Sequence, residues 1–244
     1  MSLEHYNAFE KNEANYVPLS PVSFVKRASD VYPTKTSIVY GNRSYTWAQT
    51  YQRSVCLASA LQNAGIGEGD TVSVLAFNTP EMVEAHYGVP MSGAVLNTIN
   101  TRLDIDTIGY IFEFGETRAL LTDTALAPVV REALKLSGRD DILIIDIEDT
   151  QAEGGERLGD QTYEAFIATG DVDFDWQLPH DEWNAIALNF TSGSTGRPKG
   201  VVYHHRGAYL MASATVMMWP LPLHPTYMYT VPMFHCNGWC HAWA

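Results

Sequence analysis

Between positions 189 and 205 the chain reads NFTSGSTGRPKGVVYHH. Thr191, Ser192, Ser194 and Thr195 set four hydroxyls among Gly193, Gly196 and Gly200, and Lys199 follows Arg197 and Pro198. Glycine admits backbone conformations closed to other residues, so successive N–H groups can turn into one concavity. Hydroxyls and amides donate hydrogen bonds without bringing negative charge, and the lysine adds a compact cation. Such a set suits the oxygens of a polyphosphate. A flexible Ser/Gly linker shares the composition. It does not account for the apolar run AIALNF in front or for the Pro-Lys-Gly exit into VVY. The spacing departs from the Walker pattern, since Gly193 and Gly196 stand too close and Lys199 is followed by glycine. It departs from G-x-G-x-x-G as well.

The charge distribution agrees with an anion site in the same region. The 244 residues carry a net charge of −13. All 28 carboxylates and 12 of the 15 basic side chains fall in residues 1–182, a balance of −16. Residues 183–244 hold no Asp or Glu, but Arg197, Lys199 and Arg206, and five of the eight histidines. A carboxylate-free stretch does not repel an incoming anion. It equally suits a buried segment that avoids charge. The acidic whole argues against nucleic acid and against anionic membrane as partners.

The elements that must position the loop read as an alternation of short apolar strands and helical patterns. TVSVLAF (71–77), AVLNTIN (94–100), RALLTD, DILIIDI, AIALNF (185–190) and YMYTV (227–231) are predicted strands. Helices are predicted from PEMVEAHYGVPMSG, with Pro80 in its first turn, from the Asp-capped DIDTIGYIFEFGE, from APVVREALKLSG, and within RGAYLMASATVMMW. The fold class is therefore α/β, a largely parallel sheet covered by helices on both faces. In such sheets ligands collect beyond the carboxyl ends of the strands, where the stretch after residue 190 lies. The acidic segment 149–166 reads as a surface excursion with little core.

TSGSTGRPKG closely resembles the signature loop of the adenylate-forming, or acyl-activating, enzymes. SYTWAQT (44–50), SGAVLNTINTRLDIDTIGYI (92–111) and VPMFHCNGW (231–239) agree in order, and the last two are more similar to CoA ligases of fatty or other small acids. The resemblance runs from about residue 20 to the end and implies the N-terminal portion of the adenylate-forming fold. Family members join ATP and a carboxylate into an acyl-adenylate, release pyrophosphate and pass the acyl group to CoA. By position, the resemblance implies that Thr191, Ser192, Gly193, Ser194, Thr195, Gly196 and Lys199 hold the β- and γ-phosphates of ATP, with Lys199 stabilising phosphate charge in catalysis. It implies that His235 lies beside the adenylate and the mouth of the acyl pocket, and that Trp239 lines that pocket. Mg²⁺ accompanies ATP in the family, but its ligands here would be triphosphate oxygens and water, because the tail offers no carboxylate; no protein metal ligand is assigned.

Family members run to roughly twice this length, and the downstream motifs and the small C-terminal domain with its catalytic lysine are not found here. HCNGWCHAWA ends without a helix stop and leaves Trp239 and Trp243 in search of partners. Residues 1–244 are thus expected to be an incomplete AMP-binding domain of an acid–CoA ligase, inactive alone. The alternative is an inert nucleotide-binding or regulatory fragment of the same fold. The partners implied are a short- or medium-chain carboxylic acid, ATP and CoA. His235, Cys236, Cys240 and His241 lack zinc-site spacing. Cys236 and Cys240 read as small buried residues, Met211, Met217 and Met218 as core, and His204 and His205 as loop or helix-entry residues. Three cysteines without disulfide spacing fit a reducing compartment. With no apolar leader and no membrane-length run, a cytoplasmic location is expected, with an organelle left open.

Overall fold

The computed structural model describes residues 8–152, 154–191 and 196–244. After helix α1 (Val22–Val31), strands β1 (Thr36–Tyr40) and β2 (Arg43–Thr46) form a separate antiparallel hairpin. Helix α2 (Trp47–Asn63) starts on a reciprocal cap, in which the Thr46 side chain accepts from the Gln49 amide and the Gln49 side chain accepts from the Thr46 amide. Strand β3 (Thr71–Leu75) and helix α3 (Pro80–Met91) follow, then β4 (Val95–Thr98), α4 (Ile105–Phe114), β5 (Thr117–Asp123) and α5 (Ala127–Ser137). The order closes with β6 (Leu143–Ile147), β7 (Gln161–Thr162), α6 (Tyr163–Ile167), β8 (Ala185–Phe190), β9 (Gly200–His204), α7 (His205–Met218) and the single turn α8 (Cys236–Trp239).

Strands β3 to β9 make one sheet in the order β7-β6-β5-β3-β4-β8-β9. Every neighbouring pair is parallel except β8 with β9. Alternate strand residues feed opposite cores. Val72, Val74, Ala119 and Leu121 join Leu57, Leu61, Met82, Val89, Phe166 and Ala208 on one face. Leu75 and Leu120 join Ile108, Ile111, Phe112 and Val130 of α4 and α5 on the other. Both faces are thus covered, which is the setting in which parallel strands read as unbroken apolar runs. Asp104 caps α4 by accepting from the Thr107 amide, and Pro80 occupies the first turn of α3.

Four expectations are corrected. Residues 227–231 carry strand-forming side chains but join no ladder; Asn78 holds them instead, donating through Nδ2 to the Val231 carbonyl at 3.0 Å. The segment 149–166 contributes core at its end, where Tyr163 and Phe166 of α6 are buried. Met211, Met217 and Met218 are exposed, because α7 lays its smaller Ala208, Ala212 and Thr215 against the body and turns its larger side chains outward. Trp243 is fully buried and donates to the His86 carbonyl at 2.8 Å, so it has its partner within this chain.

Candidate functional site

Strand β8 delivers the hydroxyl-rich loop at its carboxyl end, and antiparallel β9 takes the chain back. The neck of the loop is closed by two bonds. The Thr191 amide donates to the Lys199 carbonyl at 3.0 Å, and the Lys199 amide donates to Thr191 Oγ1 at 3.1 Å. Those two amides are spent on pairing, so a polyphosphate would meet donors further along the loop. The Thr191 hydroxyl accepts from Lys199 and can itself also donate. Thr191, Gly196 and Lys199 are all exposed, and Gly196 has φ +138°, which a side chain would strain. Arg197 is otherwise engaged, with its guanidinium 5.0 Å from the Tyr110 ring centroid on α4. Ser192, Gly193, Ser194 and Thr195 lie outside the described residues.

The second half of the site is the segment 229–243, hung across the carboxyl ends of β3, β4 and β8. Asn78, just beyond β3, donates to the Val231 carbonyl and accepts from the Met233 amide at 2.8 Å. Thr98, the last residue of β4, donates to the Phe234 carbonyl at 2.9 Å. Asn189 on β8 donates through Nδ2 to Asn237 Oδ1 at 2.8 Å. Asn237 in turn faces Nε2 of His86 at 3.4 Å, while His86 Nδ1 meets the Met82 carbonyl at 2.7 Å. Since a carbonyl only accepts, Nδ1 carries the ring hydrogen and Nε2 accepts from Asn237. Complete burial pushes the His86 imidazolium down to about 4, against the smaller upward pull of the Met82 carbonyl, so the ring is neutral near pH 7.

Between these anchors the side chains named from the sequence point outward. Phe234, Asn237 and Gly238 are buried, whereas His235 is exposed and Trp239 is 56% exposed. The structure therefore brings Thr191 and Lys199 together at the loop neck. Through the Asn189–Asn237 bond it also ties the His235 segment to the strand that ends at that neck. Of the histidines read as helix-entry residues, His204 caps α7 by accepting from the Gly207 amide, and His205 is buried against Ser20 at 2.8 Å. Cys240 is buried and Cys236 half-buried; all three cysteines are free, and the described residues hold no metal-competent group of His, Cys, Asp or Glu.

Asn78, His86, Thr98, Asn189 and Asn237 were not singled out by sequence reasoning. Single amides and hydroxyls scattered over 160 positions carry no spacing signature, and only the sheet brings them together. A cleft of about 190 Å³ lies elsewhere, lined by Thr124, Glu148, Asp149, Gly155 and Arg157. Its carboxylates and the neighbouring buried Asp123 repel the anion that the loop is suited to hold.

Comparison with known proteins bears on the family and the fold. The AMP-binding enzyme family matches residues 25–244. An acetate–CoA ligase of Humulus lupulus is 43% identical over 244 residues, covering 96% of this chain and 43% of that protein. A peroxisomal acetate/butyrate–CoA ligase of Arabidopsis thaliana is 44% identical over 245 residues, with the same two coverages. The chain thus spans less than half the length of these curated relatives. Among solved structures, the fold is shared with a putative long-chain-fatty-acid CoA ligase of Rhodopseudomonas palustris, at TM-score 0.78 and 21% identity over 92% of this chain and 54% of that one. It is shared too with the inhibitor-bound N-terminal domain of a Mycobacterium tuberculosis protein, at TM-score 0.75 and 22% identity over the same shares. The sheet order, the loop beyond β8 and the match over residues 25–244 lead to one assignment: this chain belongs to the AMP-binding enzyme family.

Proposed function

We propose that this chain is the part of an AMP-forming acid–CoA ligase that holds ATP and activates a short- or medium-chain carboxylic acid. The observation that carries the reading is the bond between Asn189 and Asn237. It ties the strand ending in the phosphate-suited loop to the turn bearing His235, at the carboxyl edge of the sheet. The acid class rests on the two relatives, whose names give acetate and butyrate as their substrates.

In this reading the Thr191 hydroxyl, the loop donors from Ser192 to Gly196 and the Lys199 ammonium take the terminal phosphates. The substrate carboxylate attacks the α-phosphorus, a P–O bond forms, and pyrophosphate leaves with the electron pair of the broken one. Negative charge grows on phosphate oxygens as this happens, so fixed donors and a cation lower the barrier without any protein nucleophile. The absence of Asp and Glu from residues 183–244 keeps competing charge out of the loop's own segment. His235 lies beside the adenylate and Trp239 beside the acyl group. CoA then takes the acyl group and AMP departs. Residues of this segment do not fit a protein-held magnesium ion, which needs several oxygen ligands and finds no carboxylate among them; no step is assigned to it. Free cysteines suit a reducing compartment such as the cytoplasm. No helix among the described residues is long and apolar enough to cross a membrane.

The test is a panel of carboxylates from acetate to octanoate offered to the intact protein with ATP and CoA, with AMP release followed. Release that depends on both the acid and CoA, and is greatest for the shorter acids, is expected. ATP turnover indifferent to the acid overturns the reading.

A further inference from the structure

We infer that Asn237 is a positioning residue, and that with Asn189 it forms an amide clasp setting His235 against the loop that begins at Thr191. This deepens the acid-activating reading above and rests on it. Asn189 stands two residues before Thr191, and Asn237 two residues after His235. The bond between them, at 2.8 Å, is therefore a direct side-chain link from one half of the site to the other. Both amides are withdrawn from solvent, with Asn237 at 0% exposure and Asn189 at 7%, while the side chains they serve are exposed.

The clasp has a fixed polarity. His86 Nδ1–H donates to the Met82 carbonyl, so Nε2 is an acceptor and receives the Asn237 Nδ2–H. Asn237 Oδ1 is thereby turned toward Asn189, whose Nδ2–H it accepts. Flipping Asn237 sets donor against donor at Asn189 and acceptor against acceptor at His86, and flipping Asn189 sets acceptor against acceptor at Asn237. Every member is neutral, so the His235 turn is held in register without a charge that would compete with phosphate.

Backbone geometry adds an independent observation. Residues 236–240 all have positive φ: Cys236 +48°, Asn237 +49°, Gly238 +58°, Trp239 +59° and Cys240 +61°. Side-chain-bearing residues resist that region, and Asn is among the few that accept it. A turn so unfavourable locally persists only where its surroundings over-determine it. The Asn237 side chain is the group inside the turn that bonds to both β8 and α3. The other ties hold the segment on either side of the turn: Asn78 and Thr98 upstream at Val231, Met233 and Phe234, and downstream the Tyr87 hydroxyl, which donates to the Ala242 carbonyl, and Trp243, which donates to the His86 carbonyl. They keep the segment attached when the clasp is opened, but none of these bonds falls on residues 236–239 of the turn itself.

The test compares Asn237→Gly, Asn189→Ala and the double variant in the intact protein. Glycine accepts the same positive φ, so the first variant deletes the clasp without adding backbone strain. In the double variant both partners are gone and no buried amide is left facing an absent one. Expected is a loss of about 100-fold in kcat of acid-dependent pyrophosphate exchange, the scale of an ångström of misplacement. KM for ATP should stay within about threefold, because the phosphate loop is untouched, and the double variant should lose no more than the worse single one. Unchanged kcat, or kcat and KM worsening together in step with melting temperature, overturns the inference. A second measurement does not depend on activity: backbone amide NMR of the unliganded protein. Asn237→Gly should move the Thr191 and Lys199 peaks, which lie on the other segment. If both hold their positions, the clasp is refuted. If they move but the unaltered protein shows no acid-dependent exchange, the functional reading fails and the clasp stands.

Discussion

The wall of helices α2, α3 and α6 is joined through charge, whereas the turn carrying His235 is joined through neutral groups. In the wall, Arg53 donates to Glu84 at 2.6 Å and to Glu164 at 2.6 and 2.9 Å, and the Tyr163 hydroxyl donates to the other Glu84 oxygen at 2.8 Å. Glu84 is fully buried, and burial pushes its carboxyl up to about 7 although the adjacent guanidinium pulls it down. At the turn, the corresponding work is shared by Asn78, Thr98, Asn189, Asn237 and a neutral His86. Two unit charges 4 Å apart interact by about 4 kcal/mol at an effective dielectric near 20. A buried carboxylate beside the loop would set that energy against a bound polyphosphate. The wall holds no such ligand in this reading and can use ion pairs. On the proposed function, the difference teaches that side-chain amides take over the structural role of salt bridges where the ligand itself would be the charge.

The largest effect that would break this comparison comes from the buried end of the neutral joint. Trp243→Ala removes a fully buried indole and its bond to the His86 carbonyl, and should lower the unfolding free energy by about 3–5 kcal/mol in urea titrations. A loss below about 1 kcal/mol would mean that the segment does not dock as described. Arg53→Met should cost about 3 kcal/mol at pH 8, because it leaves Glu84 buried with only the Tyr163 hydroxyl. The cost should shrink at pH 5, where the carboxyl takes up a proton. A pH-independent cost would show that the wall relies on packing rather than on charge.

A pH titration sharpens the same contrast. Burial holds both His86 and His205 down to about 4, against 6.5 when exposed. Between these values the unfolded chain binds protons that the folded chain refuses, so stability falls as pH drops from 6.5 toward 4, by on the order of 3 kcal/mol for His86. Glu84 works in the opposite sense between 4.5 and about 7, since its folded form keeps the proton longer. Asp123, raised by burial, works with Glu84, while Glu164, held down by Arg53, and Glu182, held down by the Leu19 amide, work with the two histidines, and the balance is a net loss on acidification. Urea midpoints at pH 7 and 4.5 check it, and equal midpoints would contradict the buried neutral histidines.

The parallel strands and the phosphate-suited loop were legible because each is local: a run of apolar residues, or ten contiguous residues of one chemical kind. The strand pattern at 227–231 misled because side-chain type does not show whether a sheet edge is available, and Asn78 holds that stretch where a ladder would have. In α7 the apolar residues surround the helix, so sequence alone did not show that small Ala208 and Ala212 face inward while Met217 and Met218 face water. Tyr163 and Phe166 were hidden by the acidic residues around them. The hairpin β1–β2 and the edge strand β9 are short and mixed in polarity, with little periodicity to read. The amide clasp was invisible for a different reason. Its two asparagines are 48 positions apart, and nothing about either marks it until β8 and the turn are placed together.

The central claim is that the loop closed by Thr191 and Lys199 grips the terminal phosphates of a nucleotide. Calorimetric titration of the protein and its Lys199→Ala variant with ATP, and separately with AMP, tests it most directly. Lys199 is exposed, so its removal should leave the fold intact. ATP affinity should fall by about 1.5–3 kcal/mol, roughly 10- to 150-fold, while AMP affinity stays unchanged. Equal losses for both nucleotides, or no loss for ATP, would contradict the account.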